Sequence, residues 1–169
     1  MRYVKQRDKS SCGPVAIMNV LKWAGYKFSY EKTIGLLRDA CGWRPAFGTK
    51  QADFDRGLRG TVTRFGINVR RVYCPRIGAV EDHLREGGIV IVNYLWRNKK
   101  RGEHRHFMIL SGVSDSGKMF TLLNDNSKGQ AIRRERRASV KKNVFRFQRT
   151  DPHFKAWFIS RPKEEVKYD

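Results

Sequence analysis

The chain has 169 residues, 40% apolar and 12% aromatic, which suits one domain with its own core and excludes a disordered chain. No apolar run approaches the roughly 20 residues of a membrane span, and the opening MRYVKQRDKSS lacks the apolar stretch of a secretory signal, so a cytoplasmic location is expected. Thirty-six Lys and Arg against 16 Asp and Glu give a net charge of +20, which attracts polyanions and acidic segments but says nothing about fold.

Residues 13–24 predict a helix, with Pro14 in the first turn, where a missing N–H costs nothing, and Gly25 at its end. Ile17, Met18 and Leu21 share one face that Val15 and Val20 widen, so this helix is expected to be buried. SYEKTIGLLRDAC predicts a second helix, capped by Ser29, with Ile34, Leu37 and Cys41 facing inward. GWRPAFGT breaks the pattern, and KQADFDRGLRGTVTRFG resumes a third helix that Gly57 and Gly60 weaken.

The second half changes character. INVRRVY alternates like a half-buried strand, AVEDHLREGG predicts a short helix, and IVIVNYLW is a β-branched run typical of a central strand. RNKKRGEHR reads as a solvated connection into the strand HFMILSGV, which the turn DSGK joins to the strand MFTLLN. A basic segment at 128–142 follows, then strands in NVFRFQ and AWFIS. Helices first and mainly antiparallel strands afterwards indicate an α+β domain. Residues 1–127 are expected to form its core and the basic residues 128–169 to complete it.

Cys12, Cys41 and Cys74 are odd in number, widely spaced and without a C-x-x-C pair. That spacing indicates neither a disulfide framework nor a metal site, and no cofactor motif is present. Cys12 stands directly before Gly-Pro at the amino end of the first helix. Unpaired N–H groups and the partial positive charge there favour thiolate, the nucleophilic form of cysteine.

A thiolate nucleophile needs a base, and the base needs a group to orient it. His83 in a charged helix, His104 in a basic loop and His153 after a proline all read as solvated surface histidines. His106 differs, because it opens a strand directly after a charged loop, where a side chain can face a cleft. Asn124 or Asp125, at the end of the following strand, would lie beside it and accept a hydrogen bond from the imidazole. Gln6, six residues before Cys12, is a neutral donor able, with the Cys12 N–H, to stabilise an oxyanion.

In these residues the chain resembles the papain-like cysteine peptidases, especially the bacteriocin-processing peptidases that remove double-glycine leader peptides. The likeness lies in Q-x5-CG opening a helix, HFMIL opening a strand and an Asp after the next strand. It extends to GT before the third helix, FGINV after it and the apolar GGIVIVNY, and covers roughly Tyr3 to Ser127. The resemblance implies a papain-like fold and a peptide or protein substrate. It implies Cys12 as nucleophile, His106 as general base, Gln6 as oxyanion donor, and Asp125, or Asn124 through its amide oxygen, as the orienting group. Ser11 stands where many such peptidases have an aspartate, CGPVA differs from their usual continuation, and no membrane domain follows in this chain. Acyl transfer and deamidation would use the same nucleophile. The basic segments RNKKRGEHRH and RRERRASVKK support an alternative, a nucleic-acid-binding or virion-associated protein on a papain-like scaffold. In that alternative Phe145 and Phe147 either stack on bases or form the inward face of a strand.

Overall fold

The computed structural model describes residues 3–98, 102–123, 131–145, 151 and 153–161. Three helices come first: α1 (Cys12–Trp23), α2 (Tyr30–Ala40) and α3 (Gln51–Val62), the last running into a 3-10 turn at Thr63–Phe65. β1 (Asn68–Tyr73) and α4 (Ile77–Arg85) follow. Then come β2 (Ile89–Asn98), β3 (Gly102–Val113), β4 (Met119–Leu123), β5 (Ile132–Arg136), the single turn α5 (Arg137–Val140) and β6 (Lys155–Ser160). The six strands form one sheet in the order β1-β6-β2-β3-β4-β5, every neighbouring pair antiparallel. This is the α+β architecture expected from the order of the elements.

Two apolar clusters lie on the two faces of that sheet. Alternation along the strands divides them: Ile89, Ile91, Phe107, Ile109, Trp157 and Ile159 face α1, α2 and α3. Val90, Val92, Met108, Leu110, Ala156 and Phe158 face α4, α5 and the segment after α5. Both faces of β2 are therefore dry from Ile89 to Asn93, which explains its β-branched run. Each fully buried Leu, Ile, Val or Phe stabilises the fold by about 1.5–3 kcal/mol relative to its exposed state. Gly13 through Leu21 are all buried, so α1 has no solvated side along most of its length. α2 keeps a narrow apolar stripe, Ile34 and Leu37, with Ser29 capping its first turn by accepting the Lys32 N–H at 3.2 Å. On α3, Asp55 accepts the Trp157 indole N–H at 2.6 Å and pairs with Arg59 and Arg71, which fastens the helical layer to β6 and β1.

Several sequence expectations are corrected. RNKKRGEHR is not simply a solvated connection: its described ends are strand, because β2 and β3 run on as a hairpin in register from Tyr94↔His106 to Asn98↔Gly102. His106 therefore lies within β3 rather than at its start. The basic segment contains the edge strand β5, whose alternate residues Arg133 and Glu135 form an ion pair at 2.8 Å. NVFRFQ does not begin as a strand; Lys141–Phe145 is a π-helical turn that buries Val144 and Phe145. Phe145, only 5% exposed, is core and not a platform for bases, while Phe147 lies outside the described residues. Hydrophobic alternation cannot separate a strand from a short wide turn when only two apolar residues need burial.

Candidate active site

α1 begins at Cys12, and its first intrahelical bond runs from the Val15 N–H to the Ser11 carbonyl at 3.0 Å. Helix geometry leaves the N–H groups of Cys12 and Gly13 without an acceptor inside the helix. Pro14, next in line, has no N–H to leave unpaired. Gly13 is small for a reason: a Cβ there would sit 3.1 Å from Thr49 Cβ and 3.2 Å from Phe54. The start of α1 is thus pressed against α3 and the loop before it, and Cys12 is left half-buried at the threshold.

The electrostatics of Cys12 are set by opposed effects. Burial pushes its thiol up, but a hydrogen bond from the His106 side chain, the His106 charge, and the backbone N–H groups of Phe107 and Gly13 stabilise the thiolate. The donors win, and the thiol titrates below its ordinary value. Cys12 and His106, 94 positions apart in sequence, therefore meet, one on α1 and the other on β3. The His106 ring is half-buried and stands edge-on to Tyr94, its register partner on β2, with centroids 5.9 Å apart.

Gln6 is buried, 5% exposed, and its Nε2 donates to the Asp8 carbonyl at 2.7 Å. That bond identifies the nitrogen end of the amide, since an oxygen there would face another oxygen. Two groups that sequence reading missed hold the segment carrying Gln6. Asn19, fully buried on α1, accepts the Val4 N–H at 2.7 Å and donates to the Val4 carbonyl at 3.0 Å, pairing like a strand neighbour. Asp8 accepts the N–H groups of Ser10 and Ser11, each at 2.7 Å, and pairs with Arg38 at 2.9 Å. The signal for Asp8 was present in D-x-S-S before a helix, an arrangement in which Asp bonds its own following backbone.

Asn124 and Asp125 lie outside the described residues, so the orienting group is not placed. The three other histidines divide. His153 is exposed, as expected, and the His104 side chain lies outside the described residues. His83 corrects the expectation of a solvated ring: it is half-buried, its Nε2 lies 3.0 Å from the Ile159 carbonyl, and it packs on Phe158. Gly88 makes room for it, since a Cβ there would fall 2.3 Å from that nitrogen. Among the described residues no group of three or more His, Cys, Asp or Glu side chains is arranged to hold a metal ion. Nor is any described helix long and apolar enough to cross a membrane.

No family model matches the sequence, and no curated protein is similar to it at a significant level. Solved structures are similar in fold. A protein described as a C39-like peptidase from Bacillus anthracis superimposes with a TM-score of 0.62 at 10% identity, over 96% of each chain. A double-glycine motif protease from an AMS/PCAT transporter, solved in complex with its leader peptide, gives a TM-score of 0.59 at 17% identity, over 96% of this chain and 91% of the other. The chain thus has the fold of these two proteins along nearly its whole length.

Proposed function

We propose that the protein is a papain-like cysteine peptidase, with Cys12 as nucleophile and His106 as general base. The observation that carries this reading is the hydrogen bond from His106 to the Cys12 sulfur at the amino end of a buried helix. The fold shared with two peptidases supports it. In this mechanism the Cys12 thiolate attacks the substrate carbonyl carbon, and the developing oxyanion is held by the Cys12 N–H and the Gln6 amide. His106 gives its proton to the departing amine, leaving a thioester on Cys12. It then accepts a proton from water as the water oxygen attacks that thioester, and the C–S bond breaks to release the carboxylate product and restore the Cys12 thiolate. Asp125, or Asn124 in its place, orients the imidazole.

A peptide or protein is the substrate class, by analogy with the leader peptide bound to the second neighbour. Acyl transfer would follow the same first half, with an amine taking the place of water. A reducing, cytoplasmic setting would keep the thiol in its active form. Residues 128–169 are read as part of the same domain, since β6 sits between β1 and β2. The decisive experiment is mass spectrometry after exposure to p-nitrophenyl acetate and to a peptide library with Gly-Gly sites. The expected result is an acyl adduct on Cys12 that vanishes in Cys12→Ala. Acylation of Cys74 alone, or of no cysteine, would end the proposal.

A second reading, polyanion binding, is favoured by the net charge of +20 and by Arg134 and Arg136, exposed at alternate positions of the edge strand β5. Heparin affinity that survives Cys12→Ala and falls steeply with salt supports it. No retention at low salt would leave only a solvated basic surface.

A further inference from the structure

The loop between Gln6 and Cys12 is fastened far more elaborately than its exposure requires. The Asp8 carboxylate receives the N–H groups of Ser10 and Ser11 on one oxygen and Arg38 on the other. The Asp8 backbone carbonyl receives Gln6 Nε2 at 2.7 Å. Arg38 also donates through Nε to the Ser11 hydroxyl at 3.1 Å, and its guanidinium lies 4.2 Å from the centre of the Trp43 ring. One guanidinium therefore braces both sides of the loop, and Ser11, fully buried, carries the carbonyl that starts α1. The pair is about 30% exposed on each side, a setting in which an ion pair adds little to stability. Geometry is the more consequential output, because a misplacement of about 1 Å near reacting atoms can slow a reaction by about 100-fold.

Resting on the cysteine-peptidase reading, we propose that Asp8 and Arg38 are positioning residues for the oxyanion site: their ion pair sets the loop so that the Gln6 amide and the Cys12 N–H converge on one point. Neither touches the reacting atoms. They act through Gln6 and the backbone between it and Cys12.

Two probes separate this role from a general structural one. Alkylation of Cys12 by iodoacetamide displaces iodide by direct attack on carbon and forms no oxyanion. Acylation by p-nitrophenyl acetate passes through one before p-nitrophenolate leaves and an acetyl thioester remains. In the full chain, Asp8→Asn is expected to slow acylation of Cys12 about 10-fold while alkylation stays within about 2-fold, a fraction of the loss typical for removing an oxyanion donor outright. Arg38→Gln, which leaves the Asp8 carboxylate on Ser10 and Ser11, should slow acylation by a smaller factor and serves if Asp8→Asn fails to fold. In a Gln6→Ala background Asp8→Asn should cost less than it does alone, because one of the two donors it helps to place is already gone. Equal losses in both reactions, additive losses in the double variant, or unchanged acylation in both single variants would overturn the proposal. A wild-type protein whose Cys12 is alkylated but never acylated would instead defeat the parent reading, and this one with it.

Discussion

Cys12 and Cys41 belong to the same helical layer, and both are drawn upward by burial, yet they end on opposite sides of an ordinary thiol. At Cys12 the His106 side chain and two backbone N–H groups outweigh burial and lower the value. At Cys41, on the carboxyl end of α2, no such donors offset it; burial and then the negative charges of Asp53 and ionised Cys12 push the thiol up to about 12. The difference teaches that reactivity comes from where each cysteine sits along a helix and what faces it, not from depth alone. Cys41 is packing: a Cβ on Gly57 would lie 2.9 Å from its sulfur and 2.7 Å from the Ala40 carbonyl oxygen.

Substitutions should widen or collapse this contrast. The largest effect is expected from Cys12→Ala, which removes acyl chemistry altogether, while Cys41→Ala leaves the acylation rate of Cys12 by p-nitrophenyl acetate within about 3-fold; equal losses would erase the distinction. His106→Ala should slow acylation by about 100- to 10,000-fold. It should also raise the pH at which iodoacetamide labels Cys12, because the depressed thiol loses its main donor and the thiolate then forms only at higher pH. Alkylation rate against pH, read by peptide mapping, checks this, and Cys41 should stay unlabelled until the protein unfolds.

Gly57→Ala tests the packing side of the contrast. Backbone on one side and a buried sulfur on the other leave its methyl nowhere to go, so a loss of about 1–3 kcal/mol is expected in denaturant unfolding, with little change in Cys12 alkylation. The smallest effect is a pH dependence at Asp8. Burial raises this carboxyl, but the bonds from Ser10, Ser11 and Arg38 outweigh it and hold the folded value below the ordinary one. Its stabilising contribution is therefore present above the unfolded pKa of about 4 and lost as pH falls through the folded value. For a pair this exposed the contribution is about 0–1 kcal/mol, visible as a slightly smaller Tm drop between pH 7 and pH 3 in Asp8→Asn.

The comparison also shows which parts of the site were legible. Cys12 was readable because a polar run ending in Cys-Gly-Pro before an apolar helix is a local pattern, and Gln6 followed at a local distance. His106 was separable from the other histidines by the apolar strand that follows it. Asn19 and Arg38 were not readable. Each lies on a helix where a polar residue ordinarily marks the solvent face, and only packing against the N-terminal segment makes them partners of Val4 and Asp8. His83 misled for a related reason: Asp82, Arg85 and Glu86 around it face water, while its own ring turns toward β6. The extension of β2 and β3 into the charged segment between them was missed because charged residues at strand ends carry no alternation to detect.

By itself the sequence determined the order of helices and strands as far as β4, the burial of α1 and the candidate nucleophile, since all three depend on contacts within a few residues. Tertiary structure alone decided the strand order, with β6 inserted between β1 and β2, and the meeting of Cys12 with His106. Those depend on long-range pairing and on donors brought from distant elements, and the energy of a thiolate is set by what surrounds it in space rather than by its neighbours along the chain.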